Sequence, residues 1–139
     1  MWWQKNIILK PRSRGFHLVT GELVSQLPKL GSVRIGLAHF FLQHTSAALS
    51  INENADPSVR TDFEAYFSRT VRENEPYYTH TLEGPDDMPA HIKTSLLGTS
   101  LSVPVSDGKL SLGTWQGIYL CEFRNHASGR SVVITVNGE

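Results

Sequence analysis

The order of apolar and polar positions divides the chain into strand-like and helix-like stretches. Residues 3–10 alternate loosely and include two isoleucines, which predicts a first strand. Residues 11–15 then read as a turn. Val19, Leu23, Val24 and Leu27 share one helical face, so a helix is expected over 19–30, capped by Thr20 or a neighbour, with Pro28 near its end. Residues 32–43 form a long apolar strand. Residues 47–52 look like its partner across the short connection 44–46. Asp56-Pro57 is a helix start, a carboxylate cap followed by proline at the first helical position. That helix is expected to run to about Val71 and to bury Val59, Phe63, Phe67 and Val71. Residues 74–89 are loop-like, with Pro76, Gly84, Pro85 and Pro89. A second short helix is expected over 88–97, closed by Gly98. Strands follow at 100–104, 110–112, 116–123 and 130–136, with Asp107-Gly108 as a hairpin turn. The pattern predicts an α+β fold: one domain over residues 1–139, a mostly antiparallel sheet core and two to three helices.

The chemistry is concentrated between residues 80 and 93, where His80, Glu83, Asp86, Asp87, His91 and Lys93 fall within fourteen positions. Imidazoles and carboxylates bind transition metals or move protons near neutral pH. With His44 at the end of the long apolar strand, three histidines from separate segments could supply the three protein ligands of an open catalytic metal site. The oxygen-rich run 52–56 lacks the glycine and the terminal acid of a calcium loop. Asp56 is explained as a cap. Asn52 and Glu53 are candidates to orient a ligand histidine or to hold a substrate amine or hydroxyl. In the segment 113–117, Trp115 and Gln116 read either as a hairpin corner with a buried tryptophan or as the wall of a pocket. Thr99 and Ser100 follow a helix C-terminus, where hydroxyls and amides could still hold a phosphate. Lys93 is the cation expected to assist, because it stands two residues after His91.

Charge and cysteine content narrow the class. Thirteen basic and thirteen acidic residues balance, so the broad basic field of a nucleic-acid-binding protein is missing. The longest apolar stretch is too short to span a bilayer. No amino-terminal stretch reads as a signal peptide, and the single Cys121 allows no internal disulfide. A cytoplasmic protein without nucleic-acid or membrane partners is expected.

In combination, the segments 43–47 (QHTSA), 51–57 (INENADP), 98–100 (GTS) and 112–119 (LGTWQGIY), with His80, Glu83, Gly84, His91, Ile92 and Lys93, resemble the YjbQ-like family. The resemblance runs from Trp3 to Glu139. It implies a small α+β domain with a β-sandwich-like core, assembled as a homotrimer with clefts between subunits. It also implies a small-metabolite enzyme with weak, secondary thiamine-phosphate synthase activity, which joins a pyrimidine diphosphate to a thiazole phosphate. On that reading His44, His80 and His91 form a metal or anion site. Glu53 or Glu83 acts as base or orienter, and Lys93 supplies positive charge. Asn52, Thr99, Ser100, Trp115 and Gln116 hold a phosphorylated small-molecule substrate. A divalent cofactor is implied, either Mg²⁺, usual for pyrophosphate chemistry, or Zn²⁺, suited to imidazoles. The alternatives are a metal-dependent hydrolase of a phosphorylated metabolite and a ligand-binding trimer without catalysis.

Overall fold

Strand alternation decides which face of each strand meets the core, and here it builds two antiparallel sheets with helices on one outer side. The computed structural model describes residues 1–139. In chain order these are β1 (Trp2–Leu9), β2 (Gly15–Leu18), α1 (Thr20–Val24), a 3₁₀ turn (Pro28–Ser32), β3 (Ile35–Leu42), β4 (Ala47–Glu53), α2 (Pro57–Thr70), α3 (Asp87–Leu97), β5 (Ser100–Ser106), β6 (Lys109–Leu110), β7 (Gln116–Glu122) and β8 (Arg130–Gly138). One sheet has the order β1-β8-β3-β5-β6 and the other β2-β7-β4. The fold is α+β, as the pattern predicts.

The main core lies between the sheets. Ile7, Leu9, Ala38, Phe40, Leu42, Val132, Ile134 and Val136 face Ala47, Leu49, Ile118 and Leu120. Burying a side chain such as Phe40 stabilises the fold by about 1.5–3 kcal/mol. A second cluster, with Phe16, Ala48, Tyr119, Cys121 and Phe123, covers the outer face of the three-stranded sheet beneath α2 and α3. β7 is therefore buried on both faces. Burial pushes the Cys121 thiol pKa up, so it behaves as a packed apolar group.

Four expectations change. The helix expected over 19–30 is broken, because Leu27, just before Pro28, is held out of the α region at φ −120° and ψ 62°. Val19, Leu23, Leu27 and Leu30 are still buried, whereas Val24 is exposed. Thr20 does not cap α1, because its hydroxyl accepts the Ile118 amide instead (2.8 Å). β4 does not pair with β3. Its register is with β7, Ala47 opposite Glu122 and Glu53 opposite Gln116. The connection at 44–46 carries the chain from one sheet to the other while Leu42 and Ala47 both stay in the core. Finally, α2 buries none of its own residues fully. Phe63 and Phe67 lie half-buried against Phe16, with ring centroids 5.3 and 5.8 Å away. The unexpected strand β2 supplies that Phe16.

Asp56 caps α2 as expected, accepting from the Ser58 amide at 2.9 Å. Asp107 and Gly108 take the positive φ angles (49° and 80°) that the β5–β6 hairpin needs.

Candidate metal centre

α3 starts at Asp87, one residue earlier than the pattern predicts, and this places Asp87 and His91 four apart on one helical face. The preceding loop brings in His80. His80 Nε2 lies 2.7 Å and His91 Nε2 3.1 Å from the same atom, Asp87 Oδ2. Donor atoms of all three residues lie within 4.8 Å of one another. The carboxylate forms the buried end of the group, 2% exposed, and His80 forms its mouth, 48% exposed.

The surroundings of each donor limit what it can do. His91 Nδ1 lies 2.9 Å from the Thr45 carbonyl oxygen, which can only accept, so Nδ1 carries a proton. In the neutral ring Nε2 is then a bare lone pair aimed at a carboxylate oxygen. That arrangement is repulsive unless a proton or a metal ion lies between. An imidazole fixed by a backbone carbonyl, with its other nitrogen free, is the usual geometry of a metal-binding histidine. Arg124 holds the carboxylates in place. It donates from Nη1 to Asp87 Oδ1 (2.6 Å), from Nε to Asp86 Oδ2 (2.8 Å) and from Nη2 to the Glu83 carbonyl (2.9 Å). Burial raises the Asp86 pKa, but the Asn125 amide and Arg124 outweigh it and hold the carboxyl below its ordinary value. Two imidazoles and one carboxylate make a three-ligand set with open positions, suited to Zn²⁺ or another borderline divalent ion more than to Mg²⁺.

His44 lies nearby but is not part of this group. Its Nε2 accepts the Ser131 amide at 2.7 Å, so that lone pair is already used and the neutral ring carries its proton on Nδ1. Burial, followed by the charge of Arg130, lowers its pKa and keeps it neutral. The three expected histidines therefore do not converge: the group that could hold a metal consists of His80, Asp87 and His91. His44 instead lines a cleft of ≈ 530 Å³ together with Thr45, His91, Thr94, Ser95, Gly98 and Thr99, none of them hydrophobic. A second cleft, with Asn74, Glu75, Tyr78 and Thr81 among its lining residues, opens on the His80 side.

Family comparison matches this architecture to known proteins. The profile described as UPF0047 protein YjbQ-like matches residues 5–139. The chain belongs to the YjbQ-like family. It is 55% identical to the UPF0047 protein YjbQ of Escherichia coli O157:H7 over 139 residues, 100% of both chains. It is 40% identical to a UPF0047 protein of Synechocystis over 136 residues, 98% of this chain and 92% of the relative. Among solved structures, a conserved hypothetical protein of Thermus thermophilus superposes with TM-score 0.81 at 30% identity, covering 94% of this chain and 97% of the other. A YbjQ-like protein of unknown function from Sulfolobus solfataricus shares the fold, with TM-score 0.86 at 24% identity over 100% and 99% of the two chains.

The remaining candidate residues of this YjbQ-like chain fall into separate places. Thr99 lines the cleft, whereas Ser100 opens β5 opposite Phe41 and is not among the lining residues. Lys93 lies two positions beyond His91, a rotation of about 200° on a helix, and so faces the second core. It is 2% exposed, with Nζ 5.4 Å from the centre of the Phe123 ring, and burial lowers its pKa. Glu83 is exposed, and its carbonyl accepts from Arg124. Asn52, Glu53, Trp115 and Gln116 cluster at the far end of the three-stranded sheet. The seven residues of β4 put roughly 20 Å between that end and the start of the strand beside Thr45. There Asn52 Oδ1 accepts the Glu53 amide and Gln116 Oε1 accepts the Gly113 amide, both at 2.8 Å. Trp115 is 65% exposed, not a buried corner residue. Asp87 is the member of this group that the sequence pattern does not single out. Its four-residue spacing from His91 was visible, but starting the helix at Met88 left Asp87 in the loop.

Proposed function

We propose that this chain is a divalent-metal-dependent enzyme that hydrolyses a phosphorylated small metabolite, with His80, Asp87 and His91 as the metal-binding residues. The observation that carries the reading is the convergence of His80 Nε2 and His91 Nε2 on one oxygen of Asp87, with the His91 ring held from its other nitrogen by the Thr45 carbonyl. A metal bound there supplies an activated water at neutral pH. The chain's own part is to hold the His91 ring by the Thr45 carbonyl and the Asp87 carboxylate by Arg124, and to offer a polar cleft directly beside His91.

Thiamine-phosphate synthase chemistry is less well supported within one subunit. Its aromatic platform, Trp115 with Gln116, lies at the opposite end of β4 from the cleft. It needs a neighbouring subunit to bring such a corner close, and a homotrimer is the assembly proposed from the family resemblance. No helix is long and apolar enough to cross a membrane, and a cytoplasmic location is proposed with the rest.

The test is elemental analysis of the purified protein together with parallel assays of phosphate-ester hydrolysis and thiamine-phosphate formation. The expected result is a borderline divalent metal bound near one per chain and hydrolysis that stops on chelation. Full hydrolytic turnover by a folded His91→Ala protein in chelating buffer would overturn the reading.

A further inference from the structure

The cavity beyond His80 is lined mostly by residues that have no part in the metal-binding group. It encloses ≈ 340 Å³, within the range of small-molecule pockets, roughly 300–1,000 Å³. Its shape comes from the backbone of the loop between α2 and α3. Asn74 and Gly84, at opposite ends of the lining segment, both take positive φ angles, 61° and 102°. Asparagine tolerates that region better than most residues, and strain of this kind collects at ligand sites. The loop is also pinned at two points. Tyr78 Oη donates to the Arg72 carbonyl and Arg124 Nη2 donates to the Glu83 carbonyl, both at 2.9 Å. His80 is a wall of this cavity and a member of the metal-binding group at once. Met88, also in the wall, directly follows Asp87 in the chain.

We infer that this cavity receives the alcohol part of the ester, and that this alcohol is a polyol or sugar whose hydroxyls are bound by Asn74, Glu75 and Thr81. The lining selects against the other ligand classes. An anion meets the Glu75 carboxylate and finds no arginine or lysine in the wall. A cation finds that carboxylate already matched with Arg72, 3.3 Å away. A hydrocarbon finds apolar surface only on the Tyr78 ring, Pro85 and Met88. A polyol uses the whole wall. Asn74 and Thr81 each donate and accept, Glu75 accepts, and the Tyr78 ring and Met88 serve the C–H groups. These polar groups are open to a ligand: Asn74 and Thr81 are exposed, and the Glu75 side chain is 23% exposed. The inference deepens the hydrolase reading and rests on it for cleavage of the ester, but binding of the hydroxyls does not require the metal. Because His80 is shared, a polyol held here has its ester bond beside the metal-binding residues.

The experiment compares glycerol phosphate with propyl phosphate, which carry the same charged group on a polyol and on a hydrocarbon of equal length. Each is titrated into the full-length, isotope-labelled protein after metal has been removed with a chelator, and amide shifts are followed by NMR. Glycerol phosphate should bind about tenfold more tightly than propyl phosphate, the gain from hydrogen bonds to its two free hydroxyls. Its shifts should include amides within residues 74–85. Asn74→Gly keeps the positive φ and removes the side-chain amide. It should reduce the preference for glycerol phosphate roughly threefold to tenfold, with an unchanged circular dichroism spectrum. Glycerol phosphate binding no tighter than propyl phosphate would overturn the inference. Shifts confined to residues outside 74–85, or an unchanged preference in Asn74→Gly, would overturn it as well. Failure of the metal reading would look different: no metal recovered and neither ester cleaved, with the preference for glycerol phosphate and its dependence on Asn74 preserved.

Discussion

The Thr45 carbonyl decides which nitrogen of His91 is free, and the Ser131 amide makes the opposite choice for His44. Two histidines that look alike in the sequence are thereby given different chemistry. His91→Ala should abolish metal recovery in elemental analysis, while His44→Asn should retain most of it, because the His44 lone pair is already committed to the Ser131 amide. Equal loss of metal in both variants would return His44 to the ligand set. The His44–Ser131 bond also predicts a pH dependence. The folded-state pKa of His44 is depressed below 6.5, so the unfolded chain binds the proton more readily. The stabilisation from neutral His44 is present above about pH 6.5 and is lost as pH falls through that value towards the folded pKa. Urea midpoints measured from pH 5 to 8 should rise more steeply in the wild type than in His44→Asn, and parallel curves would refute the assignment. His80 and His91 were legible as site residues from their density among acids. Asp87 was not singled out, because one residue of error at a helix start hides an i, i+4 pair. The divergent role of His44 was beyond any sequence pattern, since it depends on an amide 87 positions away.

At the level of elements, the site depends on the passage of the chain from β3 to β4. That passage is held by Arg130, which forks onto Glu122 from Nε (2.7 Å) and Nη2 (2.5 Å) and reaches the Ser46 carbonyl at 3.3 Å. Glu122 belongs to one sheet and Arg130 to the other, so this ion pair ties the two layers together at the end that carries Thr45. Both side chains are almost wholly buried, at 0% and 8% exposure. Removing one partner leaves the other charge buried and unpaired. Arg130→Met should therefore cost about 3–5 kcal/mol in chemical unfolding. A double replacement of Arg130 and Glu122 by apolar residues should recover much of that loss. If Arg130→Met costs less than about 1 kcal/mol, the clip does not hold the layers. Most strands are legible because β3 is a long apolar run and β5 alternates strictly. The pairing of β4 was not, since adjacency in sequence favours a hairpin and nothing local announces a switch of sheet. Lys93 shows a related limit: two residues after His91 is near in sequence but opposite on a helix.

For the whole molecule, the outer face of the five-stranded sheet differs from the usual polar exterior. It presents Ile8, Ile35, Leu37 and Phe41, exposed at 67, 55, 48 and 43% respectively. They alternate with the inward Ile7, Leu9, Ala38, Phe40 and Leu42, so the pleat itself turns them outward. Apolar residues concentrated on one sheet face mark an interaction surface, and the proposed homotrimer is the occupant that the family resemblance implies. Closed threefold symmetry repeats one heterologous contact three times, so a single charge on this face acts at every interface. Leu37→Glu combined with Phe41→Glu should give a folded monomer by light scattering and circular dichroism. A variant that stays trimeric would place the contact elsewhere. The monomer would also separate the two chemistries. His80, Asp87 and His91 all come from one chain, so metal recovery should survive dissociation. Thiamine-phosphate formation, which needs the Trp115 corner of another subunit to approach the cleft, should vanish, whereas hydrolysis built on the single-chain group should persist. Loss of bound metal in a folded monomer would mean that the centre is completed across the interface.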